Sequence, residues 1–205
     1  MRLFGDRALR LPSRAHTSQP WRIHEIAYDF RLEDVWALPT RGGAGDFPRL
    51  VEVASDFDPM RSSDRVVRTL FEVRLQLGKW LRWDEPSAGI DSRVPTLRDR
   101  LPAELLGSVS DADLQAASFA PLYRLDDEFA AEIANRTMHG VLHLGWVLEN
   151  DGSYRGQLAI LVKPNGLPGN AYLAAIKPFR YWIVYPQMLE EFKRAWEKTL
   201  ADRAE

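Results

Sequence analysis

"TMHGVLHLGWV", residues 137–147, decides how the rest of the chain is read. As a strand it alternates. His139, Val141, His143, Gly145 and Val147 fall on one face, and Met138, Leu142, Leu144, Trp146 and Leu148 on the other. As a helix it would set His139 and His143 one turn apart, beside a single metal or substrate. Gly140, Gly145 and the apolar alternation favour the strand. At about 3.3 Å per residue the two histidines are then roughly 13 Å apart along the chain, too far for one zinc held by bonds of about 2 Å. The greasier face is expected to turn inward, leaving both histidines on the outer sheet face or at its edge. No metal site is read here, and an acid–base role for one histidine near a strand end is the lesser alternative.

Downstream, "ENDGSYRG" carries the Asp-Gly signal of a hairpin. "QLAILVKP" reads as the return strand, "NGLPGN" as a tight turn and "AYLAAI" as a third strand, which makes an antiparallel meander. Pro178 suits a first helical turn, and Trp182, Tyr185, Leu189, Phe192, Trp196 and Leu200 then mark a long apolar stripe. Pro186 lacks an N–H and crowds the carbonyl four residues earlier, so a kink is expected near Trp182. Upstream, "EFAAEIANRT" is ambiguous between helix and strand. Its Asn135 and Thr137 suit a turn better than a ligand site.

Further toward the N-terminus, "WRIHEIAYDFRLEDVWALPT" reads as one or two strands, with Val35 and Ala37 opposed to Trp36 and Leu38. Asp46 is placed to cap a short helix with Pro48 in its first turn. Val66, Leu70, Val73, Leu77 and Trp80 mark a second amphipathic helix. Residues 84–118 read as a long connection, with a short helix or turn in "VPTLRDRLPAELLG" and the length of a lid. Residues 1–20 read as a disordered leader and 21–203 as a single domain.

Composition narrows the function classes. The 27 basic and 29 acidic residues give a formal charge of −2, and the arginines are scattered, so neither nucleic acid nor an anionic membrane is implied as partner. With no cysteine, disulfides, zinc–thiolate centres and thiol nucleophiles are excluded, a pattern that fits a cytoplasmic protein. No apolar run approaches the roughly 20 residues of a membrane span. Serine-hydrolase elbows and phosphate loops are not found, and no cofactor is called for. The adjacent acids of "RLEDVW" and "RLDDEF" point to opposite sides of a strand and make no carboxylate dyad.

Four stretches in order, "FRLEDVWALP", "IANRTMHGVLHLGW", "LAILVKPNG" and "AYLAAIKPFRYWIVYP", resemble the DUF2867 family, itself similar to the START and Bet v 1 (SRPBCC) group. The resemblance spans about residues 20–200. It implies an α+β helix-grip fold, a curved antiparallel sheet packed on a long C-terminal helix with an apolar cavity between them. Wider relatives bind lipids, sterols, hormones or polyketides, and some cyclise or dehydrate polyketides. Where the family often places a histidine after the Pro-Phe pair, this chain has Arg180, so no acid–base role carries over there.

The expectation is a protein that binds a small apolar or aromatic molecule. The aromatic set suits such a pocket, because tyrosine and tryptophan bring polar tips that need partners when buried. Its expected lining is Leu142, Leu144, Trp146, Tyr172, Trp182 and Tyr185. A cyclase- or dehydratase-like enzyme is the rival, and it would need His139, His143 or Glu132 to project into that cavity. A third reading is a homodimer paired through the outer sheet face.

Overall fold

The computed structural model describes residues 9–56, 90, 94–108, 119–135 and 137–201. Among the described residues five strands form one antiparallel sheet: β1 (Arg31–Gly42), β2 (Ala120–Arg124), β3 (Glu128–Ala134), β4 (Met138–Leu148) and β5 (Tyr154–Pro164). Their spatial order is β1-β5-β4-β3-β2, so the first strand closes onto the last and the others follow as a meander. Two short helices, α1 (Arg14–Thr17) and α2 (Ile23–Ile26), precede β1, and α3 (Phe47–Ser55) follows it. The last described elements are α4 (Gly166–Phe179), a π-helical turn (Arg180–Val184) and α5 (Tyr185–Ala201). Among the described residues no helix is long and apolar enough to cross a membrane.

The alternation read from the sequence sorts the core. Trp36 and Leu38 of β1, Leu144 and Trp146 of β4, and Leu158 of β5 pack with α3 and with Leu189, Phe192 and Trp196 of α5. Val35, Val141, Ala159 and Leu161 face the other way. That second face, expected to be the outside, is an interior too. Trp21, Ile23 and Ile26 cover it together with Leu97 and Leu105 from two 3-10 turns, Leu97–Arg100 and Ala103–Leu105. At Gly145 the cover comes close, since a Cβ there would lie 2.7 Å from the Trp21 ring. The sheet is thus a middle layer, and the face proposed for pairing with a second copy is covered.

Three expectations are corrected. Residues 9–20 do not hang free: Leu11 N–H donates to the Val35 carbonyl at 2.9 Å, Ala37 N–H donates to the Leu9 carbonyl at 2.7 Å, and His16 is fully buried. Two backbone bonds on the outer edge of β1 and one buried side chain hold this segment down. "AYLAAI" is helical, inside α4, rather than a third strand of the meander. Strand β5 already lies between β4 and β1, so no edge remains beside it, and a run rich in alanine and leucine favours helix. Pro178 accordingly sits inside α4 near its end, not at a helix start.

Other readings hold. Helix α3 starts where Asp46 and Pro48 predict, although the Asp46 side chain accepts from Gly43 N–H instead of capping the helix interior. "EFAAEIANRT" resolves as β3. The kink expected from Pro186 is the π-helical turn at 180–184, where a wider turn absorbs the missing N–H donor. The second amphipathic helix, and the lid between 84 and 118 apart from residues 90 and 94–108, lie outside the described residues.

Candidate functional site

Two buried polar clusters lie on opposite sides of the sheet. On the histidine side, Glu128 is 3% exposed and its carboxylate meets three donor groups. Arg22 N–H donates to both oxygens at 2.9 and 3.2 Å, Tyr123 Oη donates at 3.0 Å, and His143 Nε2 lies at 2.9 Å. A carboxylate needs a donor, so His143 carries its proton on Nε2 and presents a bare Nδ1. His16 Nε2 stands 3.1 Å from that Nδ1 and must be the donor. The chain Glu128–His143–His16 then ends at His16 Nδ1, a buried acceptor with no hydrogen-bond partner among the described residues.

Burial lowers the His16 pKa to about 2, with His143 and His24 adding to the effect. Burial also lowers that of His143, against the opposing pull of Glu128. Both rings are therefore neutral at ordinary pH. Farther along the face, Glu132 accepts from Leu97 N–H at 3.0 Å, pairs with His139 Nε2 at 2.7 Å and bonds the Thr96 hydroxyl. Burial would raise its pKa, but these bonds outweigh burial and lower it. Both acids tie covering segments to the sheet. Among the described residues these groups are strung along the face and do not gather around one point.

The second cluster faces the C-terminal helices. Asp34 is 2% exposed. It accepts from Tyr185 Oη at 2.6 Å and from Tyr181 Oη, and it is ion-paired with Arg180. Arg180 Nη2 also donates to Tyr185 Oη at 3.1 Å. From the N-terminal segment, Arg10 Nη2 donates to Tyr181 Oη at 2.9 Å and its guanidinium lies 4.4 Å from the centre of that ring. Trp36 packs against Tyr185 with ring centres 4.6 Å apart. Burial raises the Tyr185 pKa, so its hydroxyl keeps its proton and donates.

The π-helical turn matters to this geometry. It brings Arg180, Tyr181 and Tyr185 onto one carboxylate, and such turns frequently mark functional positions in helices. Asp34 begins a row across the sheet, Asp34–Ile160–Leu142–Ala131, in which Ile160 and Leu142 are half-buried. The neighbouring row, Trp36–Leu158–Leu144–Phe129, is buried throughout. Phe119, also half-buried, packs near the same core. The face therefore has a sealed end and a half-covered end, and Asp34 stands at the latter.

Leu144, Trp146 and Tyr185 come together in one core, with Leu142 packed at its edge. The polar tip of Trp146 is already satisfied, donating to the Gly43 carbonyl at 3.0 Å. Trp182 is 69% exposed and stands apart from the others. Tyr172 belongs to α4, and its side chain lies outside the described residues. His139, His143 and Glu132 are on the far side of the sheet from the C-terminal helices. A separate groove of about 250 Å³ lies between residues 11–19 and the β4–β5 hairpin, lined in part by Leu11, Gln19, Val147 and Gln157.

Residues 26–187 match the model of a protein family of unknown function, DUF2867. The chain belongs to DUF2867. No curated protein and no solved structure matches it. Within the DUF2867 span lie Asp34, Arg180 and both tyrosines, while Arg10 and His16 come from outside it.

Sequence reasoning passed over Asp34, and a signal was present. Strand alternation puts it on the same side as Trp36 and Leu38, and an acid on an apolar face needs partners. Tyr181 and Arg10 left no comparable mark.

Proposed function

We propose that this DUF2867 protein is a helix-grip protein of the START/Bet v 1-like kind, and that it holds a small apolar or aromatic ligand between the sheet and its C-terminal helices. The strand order and the α4–α5 arm across one face are consistent with that fold. One observation carries the binding reading: the half-covered row of Ile160 and Leu142 lies directly beside the buried Asp34 cluster. Apolar floor with a few fixed polar groups is the composition of small-molecule sites. The site sits at the Asp34 level of the sheet, not around Trp146.

The cyclase or dehydratase reading is the weaker one. The groups it would use, His139, His143 and Glu132, lie across the sheet from this face and are committed to one another or to the covering segments.

Thermal-shift and native mass-spectrometric screening of the full chain with fatty acids, polyketides and aromatic compounds tests the proposal. A true ligand at about 100 times its Kd should add about 2.7 kcal/mol of stability. Ile160→Trp, filling the half-covered row, should remove that gain while circular dichroism stays native. A panel without a binder, or one whose binders ignore Ile160→Trp, refutes the site.

A further inference from the structure

We infer that the ligand carries an anionic head, so that the site takes apolar acids in preference to neutral molecules of the same shape. This rests on the binding site proposed above and specifies its chemistry. Two guanidinium groups, Arg180 and Arg10, converge on the cluster through Tyr185 and Tyr181, against the single carboxylate of Asp34. The next carboxylate on β1, Glu33, is paired with Arg31 and does not balance them. Among the described residues one positive charge is left over.

Its placement is favourable. The Arg180 side chain is 14% exposed, and of its nitrogens Nη2 makes the bonds to Asp34 and Tyr185, while Nε and Nη1 make none among the described residues. A guanidinium with open N–H groups in a mostly dry setting suits a carboxylate, which it can meet through two parallel bonds. Tyr181 and Tyr185 keep the cluster rigid, since each hydroxyl donates to Asp34 and accepts from an arginine. Ile160 and Leu142 begin the apolar floor one strand away, which suits a tail or ring attached to the acid. Arg10 is exposed, so its share of the attraction should weaken with salt.

The test compares dodecanoic acid with 1-dodecanol, both below their aggregation limits, by calorimetry on the full chain. Wild type should bind the acid at least tenfold more tightly than the alcohol, and the gap should narrow as salt rises. Arg10→Ala should cut acid affinity several-fold and leave alcohol affinity unchanged, and Arg10→Lys should restore most of the loss. Arg10 is on the surface, so these variants are expected to fold. Equal binding of acid and alcohol overturns the anionic head and leaves the apolar site standing. An acid preference that Arg10→Ala does not reduce overturns the role given to Arg10. Failure of both probes to bind overturns the inference and the site together.

Discussion

On each face of the sheet a buried carboxylate meets three donor groups, Glu128 on one side and Asp34 on the other, and we propose that the two serve different ends. Glu128 meets a backbone N–H, a phenol and a neutral imidazole, and it lies beneath Trp21 and its neighbours. Asp34 meets two phenols and a guanidinium, with a second guanidinium one bond farther out and a half-covered apolar row alongside. A carboxylate with neutral partners fastens one chain segment to another. Beside two guanidinium groups and a half-covered apolar row, the carboxylate belongs to the ligand site proposed above. The contrast separates a fastening from the proposed site, and neither the residue types nor their burial would do so alone.

The sharpest break of this contrast is Glu128→Ala. It leaves Arg22 N–H, the Tyr123 hydroxyl and His143 Nε2 without their acceptor in a closed interior, and each stranded donor costs about 1–3 kcal/mol. A loss of about 3 kcal/mol or more is expected in urea denaturation, with ligand binding at the Asp34 side retained in the folded fraction. A loss below about 1 kcal/mol would mean that the histidine face is not fastened through Glu128.

Acid should attack the same face next. In the unfolded chain His16 titrates near its ordinary 6.5, and in the folded chain only at about 2. Between those values the unfolded state holds a proton that the folded state lacks, so stability falls as pH falls. The slope is about 1.4 kcal/mol per pH unit for one such group. His143, also lowered, pulls the same way. Glu132 adds a further loss below its unfolded value of 4.5, because its folded pKa is lowered and its stabilisation disappears on protonation. Denaturation at pH 7.5 and 5.5 should show the drop, and His16→Gln should flatten it by one proton's worth. A flat profile in the wild type would show that water already reaches the imidazoles.

Much of this is legible in the sequence. Alternation in residues 137–147 set the histidines on one face and Leu144 and Trp146 on the other, and the structure keeps that division. Pro186 announced the break near Trp182 through its missing donor. What could not be read was coverage. Alternation says which way a side chain points but not whether another segment lies over it, and residues 9–30 cover the histidines by contacts far away in sequence. "AYLAAI" fails as a strand for a related reason: its place after a turn suggests a third meander strand, but β1 takes the edge beside β5. Asp34 is readable in principle, whereas its convergence with Arg10 and Arg180 depends on segments far apart in sequence coming together.

Trp182 supplies the smallest expected effect and the finest test of the π-helical turn. By α-helical spacing it shares a stripe with Tyr185 three residues on, which is why the sequence places both in one pocket. A turn closed by i→i+5 bonds is wider, and residues three apart no longer share a face. The structure puts Tyr185 in the core and leaves Trp182 69% exposed. Trp182→Ala should therefore change stability by no more than about 0.5 kcal/mol, as surface substitutions do, and leave dodecanoic acid binding at its wild-type value. Tyr185→Ala should be far more costly, because it removes a buried ring and a donor to Asp34. If Trp182→Ala instead costs about 2 kcal/mol or weakens the acid, the indole faces inward. The turn would then keep α-helical phase, and Arg180 and Tyr181 could not both reach Asp34 from where they stand.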